Sequence, residues 1–120
     1  MTSSASDPGA AEFVTVRRTT VRAGRADEYA RVHSRIPEAA AAQLREHGIL
    51  TWTIWRDGDR LVHVIVSREP YAQIIASLRS QPPVDPAWNE RIGDLLSAEA
   101  GADEILPPVW GMDGQKQWSP

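Results

Sequence analysis

Cysteine is absent from this 120-residue chain, which excludes disulfide bridges, thiolate metal sites and cysteine nucleophiles. No apolar run is long enough to span a membrane. The net charge is only −3 with both signs interspersed, so the chain has no electrostatic footprint for nucleic acid or anionic lipid. The N-terminus has neither the basic segment nor the apolar core of a secretory signal. We therefore expect a cytoplasmic protein that binds neither nucleic acid nor membranes.

Several sequence motifs of enzyme chemistry are also missing. There is no phosphate-cradling glycine loop, no dinucleotide fingerprint and no pattern of a nucleophilic triad. The three histidines have no short ligand spacing, so we predict no metal and no cofactor. Five tryptophans against one phenylalanine are unusual, because indole combines a broad apolar face with a polar N–H. What remains is general acid–base chemistry in a pocket lined by aromatic side chains.

The apolar pattern predicts strands and helices in the order β-α-β-β-α-(α)-β. The strands fall at 12–22, 49–56, 60–67 and 103–110, and the helices at 27–48, 71–81 and 87–100. Pro37 removes a backbone donor within the first helix, so we expect a break near residues 35–36. Asp57-Gly58 predicts a tight hairpin between the second and third strands. Pro107-Pro108 restricts the last strand to a sheet edge.

This order is typical of an α+β, ferredoxin-like βαββαβ subunit with an antiparallel sheet and helices on one face. We expect a disordered lead at 1–11, a single domain at 12–110 and a C-terminal tail at 111–120. An exposed sheet face favours pairing of two copies into a dimeric α+β barrel, or a pocket between sheet and partner. The expected apolar residues of that face are Val14, Val16, Trp52, Ile54, Val62 and Val64.

Tyr29 and His33 are the strongest candidates for chemistry. They lie four residues apart on the first predicted helix, so their side chains are neighbours on its sheet-facing stripe. An imidazole with a pKa near 6.5 exchanges a proton in either direction at neutral pH. His33 is thus a candidate acid/base, against the alternative of a partly exposed helix histidine. Tyr29 either orients a substrate hydroxyl or simply anchors the helix to the sheet.

Other polar aromatic side chains are candidates for the walls of a pocket. Trp52 and Trp88 present faces that stack on the C–H-rich surfaces of sugars, although both also suit an ordinary core. His63 alternates with apolar residues on the third strand and is either a buried, hydrogen-bonded histidine or a pocket wall. His47 lies at a helix C-terminus, where its charged form interacts favourably with the helix dipole, and we interpret it as structural.

From Val21 to Trp110 the chain resembles the L-rhamnose mutarotase family, which consists of small dimeric α+β barrel proteins. The resemblance rests on EYARVHSRIPE, HGILTWTIW, the DGDRL hairpin and PAWNERIGDLL, and the most distinctive part is Tyr-x-x-x-His followed by Pro-Glu. It implies a cofactor-free isomerase that works as a homodimer. By the same resemblance His33 is the catalytic acid/base, and Tyr29, Trp52 and Trp88 bind the sugar.

The chain departs from the family pattern at two places in the pocket. The segment between His33 and Pro37-Glu38 is one residue short and lacks a tryptophan, and Ala87 replaces the first of a tryptophan pair. These differences reshape the pocket, so we expect a mutarotase whose substrate is either L-rhamnose or a related 6-deoxyhexose. The alternative is a cofactor-free cyclase, isomerase or monooxygenase of the same barrel type, acting on an aromatic or polyketide-like molecule. A third possibility is a dimer that binds a ligand without turnover.

Overall fold

The computed structural model describes residues 12–120, and the lead predicted at 1–11 lies outside the described residues. The elements follow the predicted order, with two short strands added at the C-terminus. They are β1 (Phe13–Thr20), α1 (Ala26–Val32), α2 (Glu38–Glu46), β2 (Ile49–Asp57), β3 (Arg60–Ser67), α3 (Tyr71–Arg79), α4 (Pro86–Gly93), β4 (Asp103–Leu106), β5 (Gly111–Met112) and β6 (Gln117–Trp118).

The main sheet has four antiparallel strands in the order β2-β3-β1-β4. β1 and β3 pair along their whole length in the centre of the sheet, and β4 forms one edge ahead of the two prolines. Gly58 has φ of 60° in the hairpin between β2 and β3, a conformation that the predicted Asp-Gly turn requires. The antiparallel ferredoxin-like arrangement expected from the sequence is confirmed.

The first predicted helix is divided into α1 and α2 by a break over residues 33–37. Pro37 has φ of −55° and directly precedes α2, and its ring disfavours helical backbone at Ile36. His33 consequently occupies the C-cap of α1, where its backbone N–H donates to the carbonyl of Tyr29 at 2.8 Å. The predicted break is confirmed, and it leaves the His33 side chain at the end of a helix instead of within one.

The core lies between the sheet and the helices in two clusters. The first comprises Val21, Tyr29, Leu61 and Leu95, and the second comprises Ile49, Ile65 and Ile74. Alternate residues of β3 are buried, which is the pattern of a strand covered by helices on one face only. The helices therefore cover one face of the sheet, which we call the inner face.

The prediction that Trp52 and Ile54 lie on the uncovered face is wrong. Trp52 pairs with Ile65 in β3, and directly paired residues share a face, so its side chain lies under the helices. The cause is a register shift between Ile49 and Thr51, which has the character of a β-bulge. One extra residue reverses which alternate side chains point inward. The bulge thus turns Trp52 from the outer face to the inner one.

The remaining outer face keeps the predicted apolar residues of β1 and β3. Val14 is 66% exposed there, and Trp55 of β2, with 55% exposure, lies on the same side. Trp55 is paired directly with Val62 of β3. Val16 pairs with Val64 across the two central strands and completes a contiguous apolar surface.

Two segments near the C-terminus differ from the sequence expectation. α4 begins as predicted, with Asp85 accepting a hydrogen bond from the Trp88 backbone N–H at 3.0 Å. It ends at Gly93 and not near residue 100, because the Leu95–Ser97 backbone hydrogen-bonds alongside the end of β1. Residues 111–118, which were predicted to be part of a C-terminal tail, form the β5–β6 hairpin instead. A side chain at Gly111 would collide with the Trp118 ring.

Candidate active site

A cavity of about 1160 Å³ lies between the inner face of the sheet and the helices. This volume is slightly above the range of about 300 to 1,000 Å³ that is usual for small-molecule sites. All five candidate site residues predicted from the sequence line this cavity, although they lie on different elements: α1 and its C-cap, β2, β3 and α4. These are Tyr29, His33, Trp52, His63 and Trp88.

The His33 ring contacts two other aromatic rings of the cavity. It stacks on Tyr29 with ring centroids 5.2 Å apart and an interplanar angle of 21°. Trp88 approaches at 5.6 Å with its plane tilted by 59°. The stack of His33 on Tyr29 follows from their four-residue spacing along α1. Trp88 lies in the first turn of α4, which is capped by the Asp85 side chain. The first contact was predictable from the spacing of Tyr29 and His33, whereas the second depends on how α4 packs against α1.

Tyr29 is only 5% exposed, yet its hydroxyl has no hydrogen-bond partner among residues 12–120. Buried tyrosine hydroxyls normally have such a partner. Burial also raises the pKa of the Tyr29 phenol, so the group keeps its proton at neutral pH. A protonated hydroxyl that faces a cavity without a protein partner is suited to donate a hydrogen bond to a ligand.

Burial lowers the pKa of His33 below its usual 6.5, so the ring is neutral at pH 7. A neutral imidazole has one nitrogen that accepts a proton and one that donates. His33 can therefore remove a proton from a bound hydroxyl and return one later. Together with the protonated Tyr29 phenol it provides an acceptor and a donor side by side.

His63 is buried on β3 and held at both ring nitrogens. The indole N–H of Trp52 donates to Nδ1 at 3.1 Å, and Nε2 lies 2.9 Å from the hydroxyl of Thr19. Because indole is a donor only, Nδ1 is unprotonated and the single ring proton is on Nε2. Desolvation lowers the pKa of His63 to about 4, with the Arg17 charge contributing. His63 thus orients the Trp52 ring and stays neutral, in agreement with the hydrogen-bonded alternative of the sequence analysis.

Among the other polar residues of the cavity wall, three that were not predicted as site residues are joined by hydrogen bonds: Arg17, Tyr71 and Asp103. Arg17 of β1 donates from Nε and Nη2 to the two carboxylate oxygens of Asp103 at 2.8 and 2.6 Å. Its Nη1 donates to the Tyr71 hydroxyl at 3.2 Å, and the Tyr71 ring meets Trp52 edge-on at 6.0 Å. One feature of the sequence could have indicated Arg17 as a site residue. In the alternating pattern of β1, Arg17 falls with two threonines on the face of the sheet that the helices cover.

Three further observations concern His47, metal binding and membrane insertion. His47 is not part of the cavity wall, and its Nδ1 lies 2.8 Å from the carbonyl oxygen of Gln43 on its own helix. Over residues 12–120, no three histidine, cysteine or acidic side chains are grouped so that they could hold a metal ion. Within the same residues, no helix combines the length and the apolar character needed to cross a membrane.

The model of the L-rhamnose mutarotase family matches residues 15–112, which is most of the chain. The chain belongs to the L-rhamnose mutarotase family. The matched range begins in β1 and ends in β5, so it contains every residue of the cavity described above. No curated protein matches this member of the L-rhamnose mutarotase family in sequence.

Two solved structures of other proteins have the same fold as this chain. Tetracenomycin F2 cyclase from Streptomyces glaucescens, a type-II polyketide cyclase, aligns with a TM-score of 0.59 and 18% identity over 84% of this chain and 99% of its own. A putative antibiotic biosynthesis monooxygenase from Nitrosomonas europaea aligns with a TM-score of 0.54 and 12% identity, over 92% of this chain and 91% of its own. At such low identity these similarities establish the fold alone.

Proposed function

We propose that this protein is a cofactor-independent aldose mutarotase that interconverts the anomers of L-rhamnose or a related 6-deoxyhexose. The observation that carries the proposal is the pair of Tyr29 and His33, stacked within the cavity wall with a free phenol proton beside a neutral imidazole. Membership of the L-rhamnose mutarotase family agrees with this chemistry. Trp52 and Trp88 supply aromatic surfaces for the sugar ring.

The reaction needs one proton to leave and one to arrive. His33 accepts the proton of the anomeric hydroxyl, whose electron pair forms the carbonyl at C1 while the bond between C1 and the ring oxygen breaks. The ring oxygen takes the departing electron pair and a proton from Tyr29 or a water molecule. Rotation about the bond between C1 and C2 exposes the other carbonyl face, and the same exchanges in reverse close the ring. The net reaction conserves all atoms and needs no redox step.

A second copy of the chain is proposed to cover the outer face of the sheet. The exposed Val14 and Trp55, together with Val62 and Val64, form an apolar surface that the helices of this subunit do not cover. Large contiguous apolar surfaces of this kind mark interaction sites. Face-to-face pairing of two such sheets gives a dimeric α+β barrel with one cavity per subunit.

A second candidate function is favoured by the size of the cavity. A volume of about 1160 Å³ is larger than one pyranose ring needs, and Trp52, Tyr71 and Trp88 give it broad aromatic walls. A flat aromatic or polyketide-like molecule would fill this space better. In that case the same His33 would move protons in a cyclisation, an isomerisation or an oxygenation without a cofactor.

Magnetisation-exchange NMR on L-rhamnose and L-fucose tests the leading proposal. We expect purified protein at substoichiometric concentration to accelerate exchange between the α and β anomers above the buffer rate. Absence of acceleration for these and other common aldoses would refute the mutarotase function. Tight binding of planar aromatic compounds with no sugar effect would then support the second candidate.

A further inference from the structure

A group of polar residues in the cavity wall takes no part in the proton transfer assigned to His33. We call Arg17, Tyr71 and Asp103 the polar triad; all three line the cavity. They come from β1, the start of α3 and the start of β4, so the fold brings together residues that are distant in sequence. The aromatic contact of Tyr71 places the triad beside Trp52, whereas His33 contacts Tyr29 and Trp88.

The triad retains hydrogen-bonding capacity after its internal contacts are made. A guanidinium has five N–H bonds, and three of those of Arg17 are directed to Asp103 and Tyr71. Two N–H donors therefore remain. The Tyr71 oxygen accepts from Arg17, so its own O–H is available, and burial raises its pKa and keeps it protonated. The Asp103 side chain is 58% exposed, and its carboxylate has lone pairs that can accept further hydrogen bonds.

This combination of donors and an acceptor matches neutral hydroxyl groups better than it matches an anion. The hydrogen bond from Arg17 lowers the pKa of Asp103, so the carboxylate is ionised and the charges of the pair cancel. A hydroxyl can accept from Arg17 or Tyr71 and donate to Asp103 at the same time. A substrate carboxylate could not use Asp103, which would repel it.

The position of the ion pair also argues against a purely structural role. Arg17 lies on the helix-covered face of the sheet, directly opposite His63 in register, where an apolar side chain would pack without the cost of desolvating a charge. The side chains of Arg17 and Asp103 are 23% and 58% exposed, and an ion pair that is exposed to this degree contributes little to stability. Its position at the wall of the cavity leaves the two free N–H donors of Arg17 available to a ligand.

We propose that the polar triad binds two neighbouring hydroxyl groups of the substrate, away from the anomeric carbon, and so determines which sugars are accepted. The inference rests on the proposed mutarotase function and deepens it. The substrate class is a neutral aldose with a vicinal diol beyond the reacting centre. Arg17, Tyr71 and Asp103 are specificity-determining residues, and none of them transfers the reacting protons.

The Tyr71→Phe variant tests this subsite because it removes one hydroxyl and keeps the ring against Trp52. We expect the KM for L-rhamnose to rise about 2- to 10-fold, the size of one neutral hydrogen bond, with kcat changed less than about twofold. Asp103→Asn should raise KM further, because it removes the charged acceptor. Monodeoxy analogues of L-rhamnose provide the matched control: the analogue that lacks the contacted hydroxyl should bind equally to wild type and Tyr71→Phe. Thermal melting confirms that both variants are folded.

Binding measured by tryptophan fluorescence separates failure of the subsite from failure of the function. If exchange is accelerated but KM and fluorescence Kd for L-rhamnose are unchanged in both variants, the triad proposal is wrong and the mutarotase proposal stands. If no exchange occurs but L-rhamnose binds and both variants weaken it, the mutarotase proposal fails and the diol subsite stands. If L-rhamnose does not bind, both fail. Tighter binding of a hexuronate than of the neutral sugar, lost in Arg17→Gln, would overturn the diol assignment in favour of a carboxylate site that includes Arg79 at the same cavity.

Discussion

The indole N–H of Trp52 donates to Nδ1 of His63 at 3.1 Å, which fixes His63 as the neutral tautomer protonated on Nε2. The two histidines of the cavity consequently have different roles. His63 has both nitrogens engaged within the protein and holds an aromatic wall in place. The His33 ring contacts Tyr29 and Trp88 and has no side-chain hydrogen bond within residues 12–120, so it is the histidine available for proton exchange.

Replacing His33 by glutamine should abolish most of the activity. We expect kcat to fall by roughly 10² to 10⁴-fold, the usual contribution of one general acid–base group, with KM nearly unchanged. His47→Gln is the matched control, since His47 also caps a helix C-terminus with nearly the same backbone angles but lies outside the cavity wall. Anomer exchange measured by NMR decides the matter. Equal loss in both variants would contradict the role of His33.

The pH dependence of the rate should follow the lowered pKa of His33. The base form is needed to accept the anomeric proton, so kcat/KM should be constant through neutral pH and fall on acidification. Because burial lowers the pKa, the midpoint of that fall should lie below 6.5. An acid limb centred above 6.5 would show that His33 is exposed to water or is not the group that titrates.

The protein should also lose stability in acid because of His63. Its pKa is about 4 when folded and near 6.5 when unfolded, so between these values the unfolded chain binds the additional proton. Stability is therefore full above pH 6.5 and decreases as pH falls toward 4, by up to about 3 kcal/mol at 1.36 kcal/mol per pKa unit. Urea unfolding at pH 7 and pH 4.5 measures this loss. His63→Gln should show a smaller dependence on pH over the same interval.

Parts of the site were predictable because their causes are local. The stack of His33 on Tyr29 follows from a spacing of one helical turn, and the break after His33 follows from Pro37. A hairpin at Asp57-Gly58 is likewise specified by the residues of the turn itself. Each of these depends on fewer than ten consecutive residues.

Other parts depend on relationships that a single sequence does not display. The bulge next to Leu50 changes the phase of β2, and nothing in the alternation of that strand marks where the extra residue falls. The contact between Arg17 and Asp103 joins residues 86 positions apart and depends on the register of β4 against β1. Arg17 was therefore visible only as one charged residue within a strand.

Changing Trp52 to phenylalanine should alter the titration of His63. Burial is the main cause of the lowered pKa of His63, but the indole N–H also stabilises the neutral ring by donating to Nδ1, so its removal should raise that pKa above about 4. The lost hydrogen bond should cost about 1 kcal/mol of stability. Histidine ring signals followed by NMR from pH 3.5 to 7.5 report the shift. An unchanged titration would mean that the indole does not set the tautomer.

Disrupting the outer sheet face should separate the proposed dimer. Introducing Val64→Asp and Trp55→Glu together places two like charges in an apolar surface that a second copy would bury, and burying unpaired charge is strongly unfavourable. We expect sedimentation velocity at micromolar concentration to show a dimer for wild type and a monomer for the double variant. Ala72→Glu is the control, because Ala72 is exposed on α3, on the opposite side of the sheet. A monomeric wild type would contradict the proposed dimeric barrel. It would not affect the proposal for the cavity, which lies within one subunit.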